Sequence, residues 1–308
     1  MVRITKKEVE ALSRETLAFL EYRSPRDQEI VHKMYRDRPT LGGDGPGSWG
    51  ATFVSWRAHE GIYNATEDKD LWTDPSTARL YTPEFVLGND PADTGQTIRQ
   101  MAERGFWPVF EGKHVEQHLV GIKPVRWWLS VEAAERKYDK PPRPEATLAF
   151  RETASNTNER TCIAAVIPSF SVGAHTLSGI GLNGIAPDAA ATIFNSLCFD
   201  FLLRLRTAGT HVSFTYMKPM PVPPSDLVNR LPCVLTHLTW LVGVDHITDI
   251  KDLWPLLWDA NRAVAEAYGL APEDFEHILN SFPVFARKRP AFLDYLKEHL
   301  AKWKEEAG

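Results

Sequence analysis

The sequence predicts an α+β protein, with a mixed-sheet core followed by a helical C-terminal region. Three observations carry that expectation. Short apolar or alternating runs, the pattern of strands, fall between residues 49 and 217. From Ser225 onward the apolar residues recur at helical spacing, over about 225–243, 251–268, 272–280 and 289–305. Between the two lie Pro219, Pro221, Pro223 and Pro224, a run that cannot continue a central strand because imino nitrogens donate no hydrogen bond. A junction at that run gives three regions: 1–107 as an N-terminal helical connector, 108–224 as the core, and 225–308 as the helical C-terminal region.

In chain order, a helix is expected over 6–20 with Thr5 as its cap, and a second over 24–36 opening on Ser24-Pro25. The breaker cluster Gly42-Gly43-Asp44-Gly45-Pro46-Gly47 must be loop. Trp49 to Trp56 alternates as a strand, and Thr94 to Glu103 fits a short helix. Residues 108–120 and 146–151 read as strands, separated by a basic, proline-bearing insert from Arg136 to Pro144. Strands at 160–167 and 211–217 flank a buried helix at 187–206.

A chain of 308 residues with 43% hydrophobic content can bury one sizeable core or two smaller ones. No apolar run approaches the roughly 20 residues that cross a bilayer, and the amino terminus lacks a secretory apolar stretch, so a cytoplasmic location without a membrane is expected. Cys162, Cys198 and Cys233 are far apart in apolar contexts, and read as reduced core residues. Most of the ten tryptophans, the Trp127-Trp128 pair included, read as core. The net charge of -5 opposes nucleic-acid binding, yet residues 111–230 carry thirteen Lys and Arg against eleven Asp and Glu. Either a basic surface forms only in three dimensions, or a partner supplies most phosphate contacts.

The run from Phe150 to Pro168 is the most informative stretch. Arg151, Asn156, Asn158, Arg160 and Thr161 are residue types that hydrogen-bond base edges and phosphates, and the Cys162–Ile167 segment after them is purely apolar. The plain alternative is a capped turn with Glu159 and Arg160 paired on the surface. Gly209-Thr210-His211-Val212-Ser213 is a glycine turn that lets backbone approach a phosphate, or a turn tethered by its histidine. Lys113, His114 and Gln117 follow Gly112, and strand alternation would place Lys113 and Gln117 on one face with Val115. Lys123, Arg126, Arg136, Lys137, Lys140 and Arg143 interleave with Glu132, Glu135 and Asp139, which reads as a charge-mixed surface unless the cations segregate. Gly179-Ile180-Gly181-Leu182-Asn183-Gly184 matches G-x-G-x-x-G, the mark of a dinucleotide-using enzyme. The preceding His175-Thr176-Leu177-Ser178 is a poor buried strand, however, and Asp200, at the right spacing for a ribose contact, lies in an apolar helix.

The Phe150–Pro168 run, with its T-N-E-R-T core, resembles the C-terminal target-recognition region of Type IIG and BREX-type adenine-N6 DNA methyltransferases. The likeness continues in family order. It takes in Tyr22–Ile30 with Lys33–Tyr35, then Pro108–His118, then Asn195–Arg204 and Gly209–Ser213. Lys218–Pro224, Tyr268–Leu270 and Ile278–Val284 complete it, so that it spans roughly residues 10 to 285. An Asn usually stands in the family where this chain has Ser213, which puts a base-specific role there in doubt. The glycine-rich S-adenosylmethionine loop and the Asn/Asp-Pro-Pro-Tyr/Phe tetrapeptide of the catalytic half are missing from this sequence.

The resemblance implies a target-recognition core that reads double-stranded DNA through Lys113, His114, Gln117, Arg151, Asn156, Asn158, Arg160, Thr161, Thr210, His211, Ser213 and Lys218. It implies a methyltransferase catalytic domain or subunit, in cis or in trans, that holds S-adenosylmethionine, in a restriction-modification or phage-defence system. No catalytic or metal-binding residue is expected in this chain. The alternative is a non-catalytic interaction subunit of a defence complex that no longer reads DNA.

Overall fold

The computed structural model describes residues 4–12, 20–54, 67–73, 98–120, 125, 127–139, 142, 144–154, 157–174, 176–207, 209–232, 244 and 246–308. Among the described residues ten strands form two four-stranded sheets and a hairpin. In the first sheet the order is β1 (Thr52–Val54), β10 (Leu177–Gly181), β7 (Thr147–Arg151), β8 (Ala164–Ile167), all antiparallel. In the second it is β2 (Trp72–Thr73), β6 (Trp128–Ser130), β3 (Phe106–Phe110), β9 (Val172–Gly173), with β3 and β9 parallel. β4 (Val115–Glu116) and β5 (Leu119–Val120) make the hairpin. The helices are α1 (Lys6–Leu12), α2 (Pro25–Tyr35), α3 (Val131–Tyr138), α4 (Pro187–Phe194), α5 (Leu197–Arg206), α6 (Phe214–Met217) and α7 (Ser225–Val228). After them come α8 (Trp254–Ala267), α9 (Pro272–Asn280), α10 (Pro283–Lys288) and α11 (Pro290–Ala307). This is the expected α+β class, with mixed sheets first and helices at the C-terminal end.

The first sheet is the middle layer. Alternation along β7 sends Leu148 and Phe150 into one apolar cluster with α4, α5 and the C-terminal helices, and sends Ala149 into another against the second sheet. Both faces of β7 are therefore buried, which explains the continuous apolar run. The helical cluster takes in Met34, Phe199, Met220, Tyr268, Phe275 and Trp303 together. Trp49, Trp128, Trp258 and Trp303 are all buried, as core tryptophans should be.

Several elements are local in origin and form where expected. Ser24 caps α2 by accepting from Asp27 N, and Asp27 accepts from Ser24 N, closing a capping box ahead of Pro25. Thr5 accepts from Glu8 N at the start of α1. The 94–103 helix is present over 98–103, its first four residues lying outside the described ones.

Other expectations are corrected. The single helix over 187–206 is two helices, broken at Asn195-Ser196, where Ser196 caps α5 by accepting from Phe199 N. Residues 108–120 are not one strand: Gly112–His114 is a 3-10 turn and His118, at φ 62°, turns the β4–β5 hairpin. Residues 211–217 are not a strand either, because the chain turns after Ser213 into α6 and buries Met217. The expected 160–167 strand forms only over 164–167, and Leu177 opens a buried strand where the sequence promised little. Between α9 and α11 lies the unexpected short helix α10. Cys162 and Cys198 are free and buried, and Cys233 lies outside the described residues. Among the described residues no helix is long and apolar enough to cross a membrane.

Candidate nucleic-acid interface

The chain leaving β7 continues against a second segment. Val212 N donates to Glu152 O at 2.7 Å, Ala154 N donates to Thr210 O at 3.1 Å, and Thr153 bridges His211. Backbone bonds thus join the two segments singled out in the sequence, 151–161 and 209–213. At this junction Thr210 and the His211 side chain are exposed, and His211 Nε2 stands 4.0 Å from Glu152. Ser213 is half-buried beside them.

The loop between β7 and β8 is fastened from beneath. Arg160 is 6% exposed. Its Nε donates to Asp200 Oδ2 at 2.5 Å, its Nη1 to Gln117 Oε1 at 3.2 Å, and its Nη2 to the carbonyls of Asn195 and Ser196 at 2.7 and 3.0 Å. A guanidinium thereby satisfies carbonyls left open where α4 ends. Thr161, fully buried, donates its amide to both Asp200 oxygens at 3.1 Å. Arg204, one turn along α5 from Asp200, donates to the carbonyls of Asn158 and Glu159 at 2.7 Å and lies over the Phe282 ring. Asn195 completes the fastening: its Oδ1 accepts from Ala164 N at 3.0 Å and its Nδ2 donates to Ala164 O at 2.8 Å. The surface Glu159–Arg160 pair is therefore not formed; Arg160 turns inward, and Glu159 accepts from Arg289 at 2.7 Å instead.

Above the fastened loop opens a cleft of about 420 Å³. Arg151, Asn158 and Glu159 form one wall, and Arg287, Lys288 and Arg289 from the end of α10 form another, with Glu116 and His246 at the base. Asn158 and Arg287 are exposed. Arg151 is 3.4 Å from Glu116, whose carboxyl is pushed up from its ordinary range by burial. His246 accepts from Thr248 N at Nδ1, while its Nε2 has no hydrogen-bond partner among the described residues. Burial and the cations Arg289, Arg160, Lys288 and Arg151 hold its imidazole down to about 3. Five cations against two carboxylates line the cleft, so its sign is positive although the chain's is negative.

The remaining expected residues lie elsewhere. His114 is fully buried and accepts from Glu111 N at Nδ1, 2.9 Å away. Lys113 is exposed and pairs with Glu111, whereas Gln117 and Val115 are buried, so the expected shared face of Lys113, Val115 and Gln117 does not form; the 3-10 turn removes the alternation. Lys218 lies against the Gly42 loop, its carbonyl accepting from Gly42 N at 3.0 Å. Asn156 lies outside the described residues, as do Lys123, Arg126, Lys140 and Arg143 of the basic insert. Arg136 pairs with Glu132, and Lys137 with Asp68 and Asp70, so these two cations are neutralised locally. The glycine motif is corrected as a dinucleotide candidate: β10 is antiparallel to both its neighbours, and Asp200 is spent on Arg160 and Arg204.

The sequence reading missed Glu116, His246 and the Arg287-Lys288-Arg289 triplet. A signal for the last existed, since three consecutive cations before Pro290 interrupt an otherwise amphipathic region.

No family profile and no curated protein matches the chain. Among solved structures it is similar to a Type IIL restriction-modification enzyme, MmeI, in complex with DNA. The identity is 12% and the TM-score 0.36, over 71% of this chain and 34% of that enzyme. The chain thus spans about a third of the enzyme's length.

Proposed function

We propose that this chain is the sequence-reading module of an adenine-N6 DNA methyltransferase of a restriction-modification or phage-defence system. In this reading, duplex DNA lies across the face formed by the 151–161 and 209–213 segments, and the choice of target adenine is made there. S-adenosylmethionine and methyl transfer belong to a catalytic domain or subunit in cis or in trans. The observation that carries the reading is the junction itself. The two segments that resemble the family's recognition motifs are bonded to each other, and beside them opens a positive cleft in an acidic protein. Positive potential at one place matters more than net charge, because phosphate neutralisation is local. Within this face Asn158, Thr210 and His211 are the exposed candidates for base edges, while Arg160 and Thr161 hold the loop from below.

The test is binding of a random duplex pool across salt concentrations, with sequencing of the bound fraction. Enrichment of one short motif, with affinity falling as salt rises, is the expected result. Absence of binding at low salt supports the second reading, a protein-interaction subunit of a defence complex. One observation favours that reading: Arg160 and Thr161, at the centre of the resemblance, are committed to internal partners.

A further inference from the structure

The cleft contains polar groups that the interior leaves unmatched. His246 is only 5% exposed and lines the cleft, and its buried Nε2 has no hydrogen-bond partner among the described residues, standing 3.4 Å from Glu159 Oε1 and 3.9 Å from Glu116 Oε1. Its Nδ1 accepts from the Thr248 amide, which can only donate, so the neutral ring carries its proton on Nε2. A buried donor beside the cleft is therefore left without an acceptor at ordinary pH. The Nε of Arg151 is likewise buried without an acceptor. Across the opening, Arg287 is exposed and forms no ion pair among the described residues, and Lys288 stands 3.8 Å from Glu159. Buried donors without acceptors are costly unless something external supplies the acceptor.

The geometry points to a phosphate clamp: Arg151 on one wall, His246 at the base, and Arg287 and Lys288 at the rim take one phosphate of a nucleic-acid backbone. The inference rests on the DNA reading above and goes further, since it makes the C-terminal helical region part of the interface. It also separates two jobs. The clamp fixes where the duplex sits, and the exposed loop side chains face the bases. Glu159 does not prevent this, because Arg289 holds it at 2.7 Å. Glu116 is similarly faced by Arg151. A phosphate, with several acceptor oxygens, can engage Nε2 of His246 and the rim cations together.

The test is the double variant Arg287→Gln/Lys288→Gln, both positions being exposed, compared with the unmodified chain in salt-dependent binding to the enriched duplex pool. The expected result is a log–log salt slope shallower by about 1, the share of one phosphate, with the same enriched motif. An unchanged slope overturns the clamp and leaves the DNA reading standing. If the unmodified chain binds no duplex even at low salt, the DNA reading falls separately. The clamp is then judged on inorganic pyrophosphate: a saturable shift of the His246 Hε1 proton resonance, lost in the double variant, supports it, and no shift overturns it.

Discussion

Asp200 accepts the Nε of Arg160 at 2.5 Å across forty positions of sequence, and with it the amide of Thr161 at 3.1 Å. A carboxylate in the middle of an apolar helix is thus the floor of the loop that carries the recognition-like motif. Arg204 Nε approaches the other Asp200 oxygen at 3.1 Å, so one anion serves two buried cations.

Removing that anion leaves both guanidiniums uncompensated. Asp200→Asn is expected to destabilise the chain by about 3–5 kcal/mol, read as a lower urea midpoint. Arg160→Lys lowers the midpoint as well, because a lysine ammonium cannot reproduce the guanidinium's fork of donors toward Asp200, Gln117 and the α4 carbonyls. An unchanged midpoint with lysine would show that charge alone holds the loop.

Asn195 occupies both backbone groups of Ala164 in the buried middle sheet. Asn195→Ala leaves the Ala164 N–H without its partner, while the Ala164 carbonyl keeps His118 N at 2.8 Å, at a cost of about 1–3 kcal/mol. Hydrogen exchange at Ala164 is the local readout, and it should rise more than exchange at Leu148 on the neighbouring strand.

Acid sensitivity follows from two imidazoles. His118 and His246 are each held down to about 3 from the ordinary 6.5, in both cases first by burial. Between those values the unfolded chain binds a proton that the native state refuses. Stability is therefore full above about pH 6.5 and is lost toward pH 3, by up to about 1.4 kcal/mol per pH unit for each ring. Glu116 acts in the opposite sense just above pH 4.5, since its native carboxyl is pushed up. His118→Asn removes one titration and suits the φ of 62° at that turn. It should flatten the acid limb of a plot of urea midpoint against pH; an unaltered limb would mean that His118 protonates freely in the native state.

Asn158 is different in kind. Among the described residues only its backbone carbonyl is held, by Arg204, while the side chain is exposed. Asn158→Ala should leave stability within about 0.5 kcal/mol of the parent. The enriched motif should relax at a single base pair, with about 1–3 kcal/mol of discrimination lost there. The same stability with an unrelaxed motif would remove Asn158 from the reading.

Elements whose cause lies within a few residues were legible in the sequence: the capped start of α2 at Ser24-Pro25, the glycine loop at 42–47, and the apolar β7. Breaks whose cause lies far away were not. Apolar periodicity runs straight through Asn195-Ser196, and the helix divides there because Asn195 turns to Ala164 and Arg160 satisfies the freed carbonyls. His211 to Met217 alternates like a strand, but only its first residues find a pairing partner, at Glu152–Ala154. In the site, residue type was readable and direction was not. Arg160 and Arg151 are alike in sequence, and only the distant Asp200 and Glu116 separate an interior brace from a cleft wall. The Arg287–Arg289 triplet shares a cleft with His246, forty-one positions before Arg287, and that meeting is invisible in local sequence.

Because Arg160, Thr161, Asp200 and Arg204 face inward as one braced unit that holds even the Asn158 carbonyl, the exposed Asn158 side chain takes no part in keeping the loop in place. Evolution, or a protein engineer, can exchange Asn158 without reopening the folding problem. A braced base beneath an exposed side chain lets the surface change at that position while the fold stays as it is.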